Sequence, residues 1–190
     1  MLRVLIVLLA MAGNAIAQAS TPAAQADNAR PTQRSTQPTP KLLSAAMPSS
    51  AEDRAAESAL LELANQRRRE AGVPPLRADK GLTEAARAHA RLMVQREQLS
   101  HQFDGEPSLM PRLRESGLRI NQAGENVAYN AGAEEAFEAL MQSTPHRQNL
   151  LDPDFNVAGM AALWSHGRLY VVQDFAHQLP EILPASKKQR

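Results

Sequence analysis

Apolar residues between positions 54 and 95 recur at steps of three and four. Ala56, Leu60, Leu63 and Ala64 keep this spacing and predict a helix, which Ala71-Gly72 and Pro74-Pro75 stop. Asp79 stands where a second helix needs its N-cap. Beyond it Leu82, Ala85, Ala86, His89, Ala90, Met93 and Val94 follow i, i+3, i+4, i+7 strictly. A shorter helical stretch runs from Leu109 to Ser116 and ends at Gly117. Ala133, Ala136, Phe137, Leu140 and Met141 form another amphipathic stripe.

The period then changes. In Arg168–Ala176, Leu169, Val171, Gln173 and Phe175 alternate with Tyr170, Val172, Asp174 and Ala176. The run Val157–Trp164 precedes them across Ser165-His166-Gly167, a turn-prone set. This predicts an antiparallel hairpin, with Asn126–Tyr129 as a third strand. Helices followed by a small antiparallel sheet define a layered α+β sandwich.

The first 50 residues read differently. Arg3, the apolar stretch Val4–Ala12 and Ala15-Ile16-Ala17 have the form of a cleavable export signal over residues 1–17. That apolar stretch is shorter than the roughly 20 residues needed to span a bilayer. The chain is therefore expected to be secreted or periplasmic, with no transmembrane anchor after signal cleavage. Residues 18–51, rich in Ala, Gln, Thr and Pro, hold too little apolar bulk to offset the entropy of ordering and are expected to be a disordered linker. The folded domain is placed at 52–180 and a basic tail at 181–190.

Charge narrows the functions. The net charge is +1, and four of the basic side chains but only one acid lie in the first 50 residues. The remainder is slightly acidic, so nothing broad attracts nucleic acid. With no cysteine in the chain, disulfides, thiol nucleophiles and thiolate metal sites are excluded.

Five histidines remain as candidates for chemistry. His89 falls inside the stripe of the second helix and is expected as a core histidine with one hydrogen-bonded nitrogen. His166 sits in the hairpin turn, and His177 follows the last strand without an assignment. His101 lies in the loop Ser100-His101-Gln102-Phe103-Asp104-Gly105. Thr144 as N-cap and Pro145 at the first helical position start a short helix. His146 then faces that helix's positive end, which favours neutral imidazole, the state a metal requires. Glu125, between Gly124 and Asn126, stands where a strand begins. His101, Glu125 and His146 would suit a divalent metal such as zinc with one position open, although 24 and 21 residues separate them. A structural hydrogen bond is an equally good use of Glu125.

Several segments resemble a known family. They are Asn65-Gln66-Arg67 with Gly72-Val73-Pro74-Pro75-Leu76, then Ser100-His101, Gly124-Glu125-Asn126-Val127-Ala128, Ser143-Thr144-Pro145-His146-Arg147-Gln148-Asn149-Leu150-Leu151-Asp152-Pro153 and Tyr170-Val171-Val172-Gln173-Asp174-Phe175. In this order, over roughly residues 56–178, they resemble the CAP (SCP-like) superfamily of cysteine-rich secretory proteins, antigen 5 and pathogenesis-related class one proteins, most of all its cysteine-free bacterial branch. The resemblance implies a three-layer α-β-α sandwich with a central cleft holding two histidines and two glutamates able to bind a divalent metal. His101 matches the first histidine and Glu125 the first glutamate. The second glutamate would fall near Gln142 or Ser143, and the second histidine near Tyr170, where this chain has neither. His146 is expected to fill the same cleft from another element. The family is linked to sterol or fatty-acid binding and to occasional proteolysis.

Two functions follow as expectations. One is a non-catalytic binding module whose cleft, lined by His101, Glu125, His146 and Gln173, accepts an apolar ligand, a cell-envelope component or a partner protein. The alternative is a metal-assisted hydrolase of peptide or peptidoglycan with Glu125 as general base. Gln173 lies on an otherwise apolar strand face, so its amide is expected to bond to something buried, His101 or Glu125. Trp164 is expected in the sheet core.

Overall fold

A computed structural model describes residues 4–8 and 51–181. Of the segments anticipated from sequence, residues 1–3 and 9–17 of the export signal, nearly all of the linker and nearly all of the basic tail lie outside the described residues. Val4–Leu8 forms strand β1, parallel to β4 (Ile120–Asn130).

The remaining elements are β2 (Ala51–Glu52), α1 (Arg54–Glu70), β3 (Arg77–Ala78), α2 (Lys80–Arg96), α3 (Leu109–Arg114), α4 (Ala133–Gln142), α5 (Thr144–Leu151), β5 (Val157–Ser165) and β6 (Arg168–Gln178). Asp53 and Asp79 cap α1 and α2 by accepting from the amides of Ala56 and Leu82. The strands run in the order β1-β4-β6-β5-β2, with β3 attached to β5. β5 and β6 form the anticipated hairpin. His166 and Gly167 turn it with φ of 48° and 72°, the left-handed pair that suits the twist of a two-residue connection.

Alternation assigns the two sheet faces. Leu169, Val171 and Phe175 pack with Leu60 and Ala64 of α1, Phe137 of α4 and Leu150 of α5. Tyr170 and Val172 pack with Val127, Leu163 and with Ala86, Ala90 and Met93 of α2. Leu82, Leu109, Leu113, Ala123 and Ala176 extend that second layer. Helices therefore cover both faces of the sheet, in the α-β-α arrangement. Contact between α2 and β5 is close enough that a Cβ on Gly159 would stand 2.2 Å from the Leu82 carbonyl carbon. Only glycine fits there.

The third strand is longer than Asn126–Tyr129 because β4 pairs with β6 over nearly its whole length. Strands β2 and β3, two residues each, carry no periodic signal. At the far end of α1, fully buried Arg68 donates to the carbonyls of Pro74, Leu150, Asp152 and Phe155 at 2.7–2.9 Å. One guanidinium thus fastens the segment after α1 to the turn between α5 and β5.

Candidate functional site

Period two along β4 sends Glu125 to the α2 face and its neighbour Asn126 to the opposite face. The consequence is two separate polar clusters, one on each side of the sheet.

The first cluster centres on Glu125, which is fully buried. A left-handed residue, Glu97 at φ 49°, ends α2 and releases the chain into the loop that carries His101. His101 Nδ1 donates to Glu125 Oε1 at 2.8 Å. Arg112 of α3 donates to Glu125 Oε2 through Nη2. Its Nη1 reaches Glu106 Oε1 at 3.1 Å. His89, from the third turn of α2 facing the sheet, is bonded through both nitrogens. Nε2 donates to the Ser100 carbonyl at 2.8 Å, and Nδ1 lies 2.7 Å from Glu106 Oε1. His89 is thus more than the singly bonded core histidine expected from its stripe, because the loop after α2 folds back over it.

Asp174 completes the cluster from β6, directly opposite Glu125 in the strand register. Neither of its buried oxygens has a hydrogen-bond partner at ordinary distance, and Arg112 Nη2 lies 4.0 Å away. Burial pushes the Asp174 carboxyl well above the usual carboxylate range, and the neighbouring charge of Glu125 adds to the rise; Arg112 opposes it. A proton on Asp174 can be donated to Glu125, which favours the same neutral form.

His146 belongs to the second cluster. It is fully buried on α5, with Nδ1 hydrogen-bonded to Ser143 Oγ at 2.7 Å. Asn126 Nδ2 donates to the His146 carbonyl and to Gln173 Oε1, each at 3.1 Å. Asn149 Nδ2 donates to Asn126 Oδ1 at 2.9 Å and to the Glu125 carbonyl at 3.1 Å.

The structure therefore brings His101 and Glu125 together and leaves His146 across the sheet from both. The expected three-ligand metal cradle does not form, for the reason that α5 packs on the Asn126 side of β4. Glu125 has both oxygens engaged by hydrogen-bond donors, one of them a permanent cation, which is a poor setting for a dication. Among the described residues no group of three His, Asp or Glu side chains is placed to hold a metal ion. Gln173 does bond to a buried group, but that group is Asn126 and not His101 or Glu125. Trp164 is partly buried and donates to Asp53 Oδ2 at 3.0 Å.

The sequence reading does not single out Arg112, Glu106 or Asp174. A signal for Asp174 is present: it is an acid among Tyr170, Val172 and Ala176 on an apolar alternation, a position acids occupy only with partners. Arg112, between Met110 and Leu113, carries a weaker form of the same signal.

Beside the first cluster lies a cavity of about 380 Å³ lined by Ala88, Leu92, Phe103, Pro107, Arg112 and Glu106 among others. A wider hollow of about 480 Å³ follows α5, lined by Arg147, Gln148, Leu151 and residues 152–154. None of the residues of either cluster lines it. The smaller cavity joins an apolar wall to buried charge.

A family profile described as the cysteine-rich secretory protein family, CAP, matches residues 61–175. Uncharacterized protein YkwD of Bacillus subtilis (strain 168) is 33% identical over 105 residues, covering 55% of this chain and 41% of its own length. Uncharacterized membrane protein YlbC of the same organism is 33% identical over 120 residues, covering 63% of this chain and 34% of its own. The chain thus spans less than half of either relative. Among solved structures, an extracellular protein containing a SCP domain from Bacillus anthracis str. Ames superposes with a TM-score of 0.60 at 24% identity, covering 65% of this chain and 41% of that one. An outer surface protein from Borrelia burgdorferi gives 0.62 at 16% identity, covering 68% and 98%. At these identities the likeness establishes the fold.

Proposed function

This chain belongs to the cysteine-rich secretory protein (CAP) family, and we propose that it is an exported binding module whose cavity beside the Glu125 cluster accepts an apolar ligand. The observation that carries this reading is the engagement of both Glu125 oxygens, by His101 Nδ1 and by Arg112. A carboxylate held in this way braces the loop after α2 and the start of α3 instead of taking a proton from water. Those two elements, with the outer side of α2, are what shape the cavity. Leu92, Phe103 and Pro107 supply an apolar wall, and Arg96, Asp104, Glu106, Arg112 and Glu115 supply charge around it, an arrangement that suits an apolar ligand with a polar end. Export is supported by the N-terminal pattern, and no helix among the described residues is long and apolar enough to cross a membrane.

Organic extraction of the purified full chain, followed by mass spectrometry, tests the reading. Recovery of a stoichiometric apolar compound that disappears in Leu92→Arg supports it. A chain that comes out empty and takes up no long-chain fatty acid or sterol on incubation contradicts it.

The alternative, a hydrolase of peptide or peptidoglycan with Glu125 as general base, draws support from one feature. Protonated Asp174 opposite Glu125 sets an acid beside a carboxylate. Turnover of peptidoglycan that vanishes in Glu125→Gln, with the domain still folded, would favour this alternative.

A further inference from the structure

The second cluster contains a pair that the binding reading does not use. Ser143 is the N-cap residue of α5, and an N-cap serine ordinarily accepts from the amide two or three residues on. Here the residue two on is Pro145, which has no N–H, and Ser143 does not take the amide of His146, three on, either; it makes no capping hydrogen bond. Its Oγ is instead 2.7 Å from His146 Nδ1. The hydroxyl, not used as a cap, faces an imidazole one helical turn away. His146 is fully buried, and its carbonyl is fixed by Asn126, which is fixed in turn by Gln173 and Asn149. Ser143 itself is half-buried and reachable. One amide nitrogen of this network, Gln173 Nε2, is buried without a partner.

We propose that Ser143 and His146 form a nucleophile and base that transfer the acyl group of a carboxylic ester. Ser143 Oγ attacks the ester carbonyl carbon as its proton passes to His146 Nδ1. The C–O bond to the alcohol then breaks, and the departing alkoxide takes that proton from His146. Water attacks the acyl-serine carbonyl carbon and gives one proton to His146; the bond from that carbon to Ser143 Oγ then breaks, releasing the acid, and His146 returns the proton to Ser143 Oγ. Ser143 stands at the N-terminus of α5, whose aligned peptide dipoles favour the negative charge that develops on the carbonyl oxygen. An ester fits better than an amide, because an alkoxide leaves without the full protonation that an amine requires.

The full chain treated with p-nitrophenyl acetate, and separately with a fluorophosphonate probe, is expected to gain one adduct on the peptide carrying Ser143. Ser143→Ala abolishes the adduct, and His146→Gln lowers its rate by roughly 100-fold or more, the loss typical of removing a positioned base. Because His146 is buried, a second measurement avoids substituting it. The chain has no cysteine, so Ser143→Cys introduces a single thiol beside the imidazole. Its alkylation by iodoacetamide at pH 6 is expected to run at least about 10-fold faster than that of Ser58→Cys on the exposed face of α1, since a neighbouring histidine favours thiolate. Absence of an adduct at Ser143, or alkylation no faster than at position 58, overturns the proposal.

Discussion

Glu125 and Asp174 stand directly opposite one another on adjacent antiparallel strands, both fully buried, with Arg112 reaching the first and lying 4.0 Å from the second. Two carboxyls so close in low dielectric cannot both ionise cheaply, so one keeps its proton, and the one without a bonded cation is Asp174. The pair therefore has unequal members.

Substitutions should reveal that inequality. Near pH 4, Asp174→Asn replaces a neutral acid by a neutral amide and is expected to change unfolding free energy by no more than about 1 kcal/mol. Arg112→Met strands Glu125 and Glu106 in the interior without their cation and is expected to cost about 3–5 kcal/mol. Urea unfolding followed by circular dichroism measures both. Equal losses for the two variants would contradict the assignment.

The same asymmetry sets a pH dependence. Folded Asp174 holds its proton more tightly than the unfolded side chain, whose usual value is 3.8. Between that value and the raised folded one, the native state carries the extra proton, so this group's contribution to stability falls as pH rises. Subtracting Asp174→Asn from wild type cancels the titration of Glu125, Glu106 and the histidines to first order. The variant is expected to gain stability relative to wild type steadily as pH rises from about 4 towards neutrality. A difference that is flat with pH, or opposite in sign, would show Asp174 ionised in the fold.

Arg68 supports a distant part of the molecule by a comparable device. Its guanidinium satisfies three backbone carbonyls around the α5–β5 turn and that of Pro74 after α1, and the buried acceptors among them lose their partner when it is removed. Arg68→Met is expected to lower stability by about 3–5 kcal/mol. Arg68→Lys should recover little, because one ammonium cannot reproduce the planar fork. Thermal unfolding of the two variants side by side distinguishes the fork from the charge alone.

Gly159 is a purely steric prediction. Its added Cβ would sit 2.2–2.4 Å from the Leu82 and Thr83 backbone, so α2 must move off β5 to admit Gly159→Ala. The expected loss is about 1–3 kcal/mol or more. Because α2 also carries His89, the amide protons of the 100–106 loop should exchange faster in that variant.

Much of this architecture is legible in the chain because periodicity and capping chemistry are local. The stripe from Leu82 to Val94, the Asp79 cap and the alternation from Leu169 to Phe175 each report a fold decision made within a few residues. The site is legible only in part. His101 and Glu125 stand out as candidates in the sequence, and they meet. His146 joins them in the sequence reading, yet the two-residue period of β4 separates it, because Glu125 and Asn126 face opposite layers. Which layer α5 would join depends on packing against α1 and Phe155, information that no short segment contains. A shift of one residue in the α5 cap, from Thr144 to Ser143, also hides the Ser143–His146 pair.

Ligand is expected to enter the cavity between α2 and the 103–107 loop while Glu125 only braces its wall. Fluorescence titration of the full chain with a dansyl-labelled long-chain fatty acid, comparing wild type with Ala88→Trp and with Ser58→Ala on the exposed face of α1, decides the matter. Saturable binding is expected to weaken at least about 10-fold, or roughly 1.4 kcal/mol, when tryptophan fills the cavity, and to be unchanged at Ser58→Ala. Undiminished affinity in Ala88→Trp, or no saturable binding by wild type, would contradict it.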